Sequence, residues 1–298
     1  MPTPATTPST PTYFQQSLPA MSPAIAPPTP STPEQQATTT TTAPIVRKHK
    51  FPTPLLRLQL HDLAHEGASI FLSNIHGNED LSLQVQNVLN LLYSNADPKD
   101  LKARPPTRSV TFIIRAFEGV AYTTGIDLDD DHKEINISAD YIVKCARGPG
   151  GNKRHELLGV ICHELVHCFQ WNAQGTCPGG LIEGIADWVR LRAGLGASHW
   201  RQEAGGQWDG GYQKTGYFLD WLEVKFGHGT VAALNACMRE EKYDGEKLFG
   251  ECCQGAKVEE LWKAYREELH GKEKKVEGGG DDDDGPANPV PTHPAKGT

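Results

Sequence analysis

Hydrophobic positions recur along the middle of the chain with two different periods. Apolar and polar residues alternate in residues 56–60, 110–114 and 134–138, which is the pattern of half-buried β-strands. Apolar residues recur at helical spacing from Leu81 to Tyr93, and every long periodic segment after residue 155 is helical, including residues 215–226 and 258–269. The pattern predicts an α+β fold, with a small mixed or antiparallel sheet packed on a bundle of helices.

The two ends of the chain differ in composition from the middle. Residues 1–44 hold 11 of the 22 prolines and 12 threonines, with Glu34 as the only charge, and the other end contains an acidic run at residues 281–284. Such segments cannot bury enough apolar surface to form a core. We predict a disordered arm at residues 1–50, one folded domain at residues 51–271, and a disordered tail at residues 272–298.

Composition also limits the partners that we expect. The formal net charge is −8, and no stretch approaches the ~20 consecutive apolar residues of a membrane span. We expect neither a nucleic-acid nor a membrane partner, and a monomeric chain. The first 44 residues contain no positively charged region followed by an apolar one, so no signal peptide is recognisable. The compartment stays open between the cytoplasm and unconventional secretion.

The chemistry-bearing motif lies in a segment that is predicted to be helical. His163, Glu164 and His167 form an H-E-x-x-H pattern, and residues 160–174 contain neither glycine nor proline. Two histidines four residues apart on one helical face can hold a single metal ion. The bare pattern also arises by chance, so the residues around it must indicate whether it is a metal site.

A second predicted helix, residues 181–191, carries two further carboxylates. Glu183 follows His167 by sixteen positions, near enough for the chain to turn back and supply a third ligand. A His-His-Glu set leaves the fourth tetrahedral position of zinc to water. Asp187 lies one helical turn after Glu183, so its carboxylate can accept the free ring N–H of a ligand, with His163 as the candidate.

Such a site predicts hydrolysis of peptide bonds. Zinc lowers the pKa of a bound water to about 7 and polarises a carbonyl group. Glu164, adjacent to His163 and not a ligand, is the candidate general base that takes the proton from water and passes it to the leaving amine.

Several longer runs resemble the basic secretory protein family, the peptidases of plants and bacteria. The runs that carry the resemblance are His163-Glu-Leu-Val-His167, Pro178-Gly-Gly-Leu-Ile-Glu-Gly-Ile-Ala-Asp-Trp188, Val189-Arg-Leu-Arg-Ala-Gly194, Trp208-Asp-Gly-Gly-Tyr212 and Glu260-Leu-Trp262. The resemblance implies a gluzincin-like, zincin-type metallopeptidase whose zinc helix forms the floor of a cleft, and a peptide or protein substrate. It supports Glu183 as third ligand. The charge of −8 and the missing signal peptide depart from the family name.

Two residue groups beyond the metal set are candidates for substrate contact. Tyr212 matches a tyrosine of the family and could donate its hydroxyl to the oxyanion; it could instead be an aromatic plug between helices, and Tyr217 is an alternative. Residues 134–139 form the last strand before the zinc helix. We predict that this strand lies at an edge and pairs with extended substrate, the alternative being an interior strand.

Two classes of function remain open from the sequence. The first is an active zinc peptidase, with an endopeptidase favoured over an aminopeptidase because no anchor for a substrate N-terminus is recognisable. The second is a catalytically silent metal-binding or defence-related module on the same fold. The seven cysteines, an odd number, indicate no clear disulfide framework.

Overall fold

The computed structural model describes residues 50–148 and 152–277 of the chain. The predicted N-terminal arm lies almost wholly outside these residues, as does the predicted tail beyond residue 277. The elements in chain order are β1 Leu55–Leu60, α1 Glu66–Asn74, α2 Gly77–Leu92, β2 Ser109–Arg115, β3 Ala121–Ile126, β4 Asp129–Ser138, α3 Ala139–Arg147, α4 Lys153–Phe169, α5 Gly179–Arg192, α6 Tyr212–Phe226, α7 Thr230–Cys237, α8 Gly245–Cys252 and α9 Val258–Glu277.

The β-strands form one small mixed sheet. Its four strands lie in the order β1-β2-β4-β3, with β1 and β4 parallel to β2, and β3 antiparallel to β4. The strands predicted at residues 56–60, 110–114 and 134–138 are confirmed within β1, β2 and β4. β3 was not predicted from its alternation, because Tyr122, Thr123, Thr124 and Gly125 leave little apolar period in it.

The prediction that residues 134–139 form an edge strand is wrong. β4 lies between β2 and β3, and Ala139 already belongs to α3. The physical reason is the hairpin between β3 and β4, which adds an antiparallel strand outside β4. β3 is therefore the edge strand on this side of the sheet.

The helices pack together as a bundle, as the periodicity predicts. The apolar stripe of α2 is fully buried at Leu81, Val85, Val88 and Leu89. α4 and α5 are different, because every residue of the ranges 159–166 and 181–190 is buried. α4 lies between α2 and α5 and also contacts β3, so the helix that carries the H-E-x-x-H motif runs through the centre of the domain.

The start of α4 is fixed by polar contacts. Asn152 caps the helix by accepting a hydrogen bond from the His155 backbone N–H at 3.2 Å. Arg154 forms two hydrogen bonds with the buried carboxylate of Asp80 on α2, at 2.6 and 2.7 Å. This bidentate pair holds the pKa of Asp80 below its usual value. The pair ties the first turn of α4 to α2.

α5 and α6 approach each other closely through glycine. A Cβ atom on Gly184 of α5 would lie 2.2 Å from Thr215 Cγ2, and one on Gly216 of α6 would lie 3.2 Å from the Trp188 backbone nitrogen. The helix that carries Glu183 can therefore lie directly against α6 only because these positions lack a side chain. In the part of the chain that the structure describes, no helix combines the length and apolar character that a bilayer span requires.

Candidate metal centre

Three candidate ligand atoms converge between α4 and α5. His163 and His167 lie one turn apart on α4, and their Nε2 atoms are 3.2 Å from each other. Glu183 on α5 places Oε2 3.0 Å from His163 Nε2 and Oε1 3.8 Å from His167 Nε2. One ligand atom from each of the three residues lies within 4.8 Å of the others. This buried group could hold a metal ion.

The donor set and its spacing fit a tetrahedral ion. Ligand atoms at 2.0 to 2.1 Å from a tetrahedral centre lie about 3.3 Å from one another. Two of the three pairs are close to that spacing, the imidazole nitrogens at 3.2 Å and His163 with Glu183 at 3.0 Å, and the third, His167 with Glu183, is longer at 3.8 Å. Two imidazoles and one carboxylate are also a donor set that zinc uses in proteins.

Asp187 lies against the other ring nitrogen of His163. Its Oδ1 is 2.7 Å from His163 Nδ1, and both side chains are buried. Burial alone would lower the pKa of His163, but Asp187 and Glu183 outweigh it and raise that pKa to about 10. His167, which burial dominates, has its pKa lowered to about 4. A proton is therefore held on His163 rather than on His167.

Glu164 is buried on a different face of α4, beneath the sheet. Its Oε2 accepts a hydrogen bond from the Thr123 hydroxyl of β3 at 2.7 Å. Burial raises the pKa of Glu164 to about 7, although the Thr123 hydrogen bond and His163 act against it. A carboxyl group with a pKa in this range can both take up and release a proton near neutral pH.

Tyr212 begins α6 beside His163. The two rings are nearly parallel, with centroids 6.3 Å apart and an angle of 14° between their planes. Its backbone φ is 47°, an uncommon value for a bulky residue, and follows Gly211 at 81°. Burial and the nearby carboxylates, Glu183 first, raise the pKa of Tyr212 to about 12. The phenol therefore keeps its proton at neutral pH and can donate it in a hydrogen bond.

A locked turn holds Tyr212 in this position. The Thr215 hydroxyl donates to the Trp208 carbonyl at 2.6 Å and accepts from the Gly211 backbone N–H at 2.9 Å. The same turn lies against the start of α5, since a Cβ atom on Gly180 would be 1.7 Å from the Asp209 carbonyl oxygen. Tyr217, the alternative tyrosine, lies one and a half helical turns further along α6 and is not in ring contact with His163 among the described contacts.

The free edge of β3 lies beside this site. The Ser138 backbone N–H donates to the Val120 carbonyl at 2.9 Å, and Thr123 lies opposite Ile135 in the antiparallel register. Because hydrogen-bonded pairs alternate in such a ladder, the backbone N–H and C=O groups of Ala121, Thr123 and Gly125 point away from β4. Within residues 50–148 and 152–277, no further strand pairs with this edge.

Sequence reasoning missed two residues that contact the site. Thr123 is 41 positions from Glu164, and no local pattern indicates their contact. Gln170 lies three residues after His167, a spacing that places two side chains on one face of a helix, and its amide is 2.6 Å from His167 Nδ1. That spacing was a signal that could have identified Gln170.

The chain matches a known protein family. A family model described as peptidase of plants and bacteria matches residues 53–265. Neither the search of curated proteins nor the search of solved structures found a match. The matched segment contains the sheet, the three candidate ligands, Asp187, Glu164 and Tyr212.

Proposed function

The chain belongs to the family of peptidases of plants and bacteria, and from that membership we propose that it hydrolyses peptide bonds with zinc held by His163, His167 and Glu183. The convergence of these ligand atoms within 4.8 Å is the observation that carries the proposal. The fold is then a zincin-type fold of the gluzincin kind, in which a glutamate on the helix after the motif completes the ligand set.

Zinc held by His163, His167 and Glu183 would supply Lewis acidity, which lowers the pKa of water to about 7 and polarises a carbonyl oxygen. The protein groups around it supply proton transfer and orientation. Glu164 accepts the proton of the attacking water at its carboxylate and later delivers it to the nitrogen of the leaving amine. The Thr123 hydroxyl holds Oε2 of that carboxylate, and Asp187 fixes the tautomer of His163 by accepting its Nδ1–H.

Tyr212 has the role of an electrophile in this proposal. Its hydroxyl donates a hydrogen bond to the oxygen of the scissile carbonyl, where negative charge develops as water adds. Two observations support the role: the ring lies alongside His163, and the residue is held at a φ of 47° by the turn that precedes α6. Unusual backbone conformations of bulky residues are concentrated at functional sites.

The substrate is a peptide or protein in extended conformation, bound along the free edge of β3. Ala121, Thr123 and Gly125 present backbone donors and acceptors there, so a substrate strand adds to the sheet by main-chain hydrogen bonds. Thr123 links this edge to Glu164 directly. A strand edge that no described strand pairs with accommodates chain on both sides of the scissile bond, which favours an endopeptidase over an aminopeptidase.

The test combines metal content and cleavage in wild type and variants. Zinc is measured after dialysis, and cleavage is followed with an unfolded, alkylated protein as substrate. Glu164→Gln should retain zinc and lose cleavage by about 10²- to 10⁴-fold, the size of general-base catalysis. His167→Ala should lose zinc, whereas His155→Ala, a histidine on the same helix that bonds the Gly196 carbonyl, should keep both.

Two outcomes would contradict parts of the proposal. A Glu164→Gln variant that cleaves as fast as wild type would rule out Glu164 as the general base. A wild type that binds zinc tightly but cleaves no unfolded protein would favour the second candidate, a silent metal-binding or defence-related module. Buried Glu164 argues against that module, because a purely metal-binding site needs no additional buried carboxyl group with a pKa near 7.

A further inference from the structure

His167 presents its two ring nitrogens to different partners. Nε2 lies 3.2 Å from His163 Nε2 and 3.8 Å from Glu183 Oε1, so it is the nitrogen that faces the proposed metal position. A ligand nitrogen must offer its lone pair, and a neutral imidazole carries only one proton. The proton of His167 therefore has to be on Nδ1, where it needs a hydrogen-bond acceptor.

The group beside Nδ1 is the side-chain amide of Gln170. Gln170 Nε2 lies 2.6 Å from His167 Nδ1, while Gln170 Oε1 is buried and has no hydrogen-bond partner among the described residues. In this orientation an N–H of the amide would face the N–H of the ring. A half-turn of the amide exchanges its oxygen and nitrogen, as the near-identical shapes of the two ends allow, and gives the orphan oxygen a donor.

We infer that Gln170 is a positioning residue for His167: its Oε1 accepts the Nδ1–H and so fixes Nε2 as the ligand nitrogen. The inference rests on the proposed zinc centre. Gln170 is the C-cap residue directly after α4, and its backbone N–H donates to the Val166 carbonyl at 2.8 Å. The Gln170 side chain therefore reaches back to His167, the candidate ligand three residues earlier in the chain.

The two ligand histidines then have acceptors of different charge. His163 is paired with the carboxylate of Asp187 at 2.7 Å, and His167 is paired with a neutral amide. Glu164, Glu183 and Asp187 already place three carboxyl groups in buried positions. A neutral acceptor orients the second histidine without adding a fourth buried negative charge, which would be costly to desolvate.

The experiment measures zinc affinity of the full chain by competition with a chelator, together with thermal unfolding. Gln170→Met, which keeps the length and removes the acceptor, should weaken zinc binding by about 10- to 100-fold. Gln170→Glu, which restores an acceptor, should bind zinc at least tenfold more tightly than Gln170→Met. Gln84→Met, which removes a buried glutamine of α2 far along the chain from the motif, is the matched control and should leave the affinity unchanged.

A second measurement does not depend on any variant. In zinc-loaded wild type labelled with ¹⁵N at histidine, the Nδ1 resonance of His167 should carry the proton and Nε2 should not. Wild-type affinity in Gln170→Met, no recovery in Gln170→Glu, or a proton on Nε2 would each overturn the inference. A wild type without zinc affinity would instead overturn the proposed function itself, so the two failures are distinguishable.

Two cysteines far from the motif in sequence lie close to each other. Cys237 ends α7 and Cys252 ends α8, and their Sγ atoms lie 3.8 Å apart. Both thiols are partly exposed. The other five cysteines, Cys145, Cys162, Cys168, Cys177 and Cys253, have no such thiol partner in the hydrogen bonds of the described residues.

The geometry points to a disulfide modification site at Cys237 and Cys252, with a small-molecule disulfide such as oxidised glutathione as the oxidant. The Cys237 thiolate attacks one sulfur of the oxidant, breaking its S–S bond and releasing one thiolate. The Cys252 thiolate then attacks Cys237 Sγ and releases the second thiolate. The protein loses two electrons and two thiol protons, and the oxidant becomes two thiols. The new bond would link the ends of α7 and α8.

The test incubates the full, folded chain with oxidised glutathione, blocks remaining thiols and maps peptides by mass spectrometry. The count of free thiols should fall from seven by two, with a peptide pair linked through Cys237 and Cys252. Cys252→Ser should abolish this link, and Cys145→Ser should not. A bond from Cys237 to Cys253, glutathione retained on the protein, or no loss of thiols would each overturn the assignment.

Discussion

Thr123 on the edge strand donates its hydroxyl hydrogen bond to Oε2 of Glu164 on the central helix, at 2.7 Å. The two residues belong to different layers of the domain, and both are buried. The strand proposed to bind substrate and the carboxyl group proposed to take a proton are therefore joined through one threonine hydroxyl, which also lies 3.0 Å from the Glu164 backbone carbonyl oxygen. Displacement of β3 would displace the Glu164 carboxylate with it.

Removal of the Thr123 hydroxyl should impair proton transfer without affecting metal binding. Thr123→Val keeps the shape and deletes a hydrogen bond to an ionisable group, a contact worth about 1.5 kcal/mol or more. We expect a decrease in kcat of about tenfold. Because Thr123 lowers the pKa of Glu164, the acidic limb of the pH profile should also move to higher pH. Steady-state kinetics across pH and zinc content measure both effects.

The neighbouring threonine provides the control for this variant. The Thr124 hydroxyl donates to the Gly125 carbonyl of the same strand. Thr124→Val should therefore change neither kcat nor the pH profile. Equal kinetics for Thr123→Val and wild type would show that the Thr123 contact does not orient the base.

Tyr212 and Tyr217 offer a matched pair for the oxyanion role. Tyr212→Phe removes a donor proposed to act only in the transition state, so kcat should fall by about 10²- to 10³-fold with zinc retained. Tyr217→Phe, on the same helix, should behave as wild type. Steady-state kinetics of both variants provide the measurement. Full activity of Tyr212→Phe would assign that ring to packing against His163 instead.

The Asp80 and Arg154 pair predicts a pH-dependent stability. The pKa of Asp80 is lowered in the folded chain, so the pair stabilises the fold above the unfolded pKa, near 3.8, and this contribution is lost as the pH falls through the lower, folded pKa. Asp80→Asn should reduce the free energy of unfolding by about 1 to 2 kcal/mol at pH 7, since Arg154 is partly exposed. The difference between variant and wild type should vanish at low pH.

Urea denaturation at several pH values tests this prediction. Asp140→Asn, which removes an exposed carboxylate paired with His65, is the control and should change the free energy of unfolding by less than about 0.5 kcal/mol. A constant difference between Asp80→Asn and wild type from neutral to acidic pH would contradict the assignment of that stability to the ionised carboxylate.

The close approach of α5 and α6 predicts opposite effects of alanine at two helical glycines. Gly184→Ala would drive a methyl group into Thr215 and should destabilise the fold by about 1 to 3 kcal/mol. It should also weaken zinc binding, because Glu183 is adjacent. Gly250→Ala in α8, with open space around it, should be neutral or stabilise by up to about 1 kcal/mol. Chemical denaturation of both variants measures their stability, and zinc titration measures their zinc affinity.

The sequence predicted those parts of the fold in which burial of one face produces a regular spacing of apolar residues. The helices α2, α4, α5, α6 and α9, and three of the four strands, were predicted because each buries an extended apolar face. The short helices α1, α3, α7 and α8 span only eight or nine residues, which is too short for a period to stand out.

Strand order and side-chain contacts across layers could not be predicted in the same way. The edge prediction for residues 134–139 failed because the hairpin partner β3 is rich in polar residues and glycine. The spacing of His163, His167, Glu183 and Asp187 within two helices is local, and so it was visible in the sequence. The contact of Thr123 with Glu164 depends on how the sheet lies over α4, which no local pattern encodes.

If the proposed zinc binds, the burial of three carboxyl groups around His163 ties the amount of folded protein to its metal supply. Glu164, Glu183 and Asp187 share a region into which a divalent ion would bring two positive charges. An ion that binds only the folded chain stabilises it in proportion to the logarithm of its concentration over the dissociation constant. Where zinc is scarce, a larger fraction of chains would then be unfolded and open to degradation by other proteases. Zinc would then set the lifetime of the enzyme as well as its turnover.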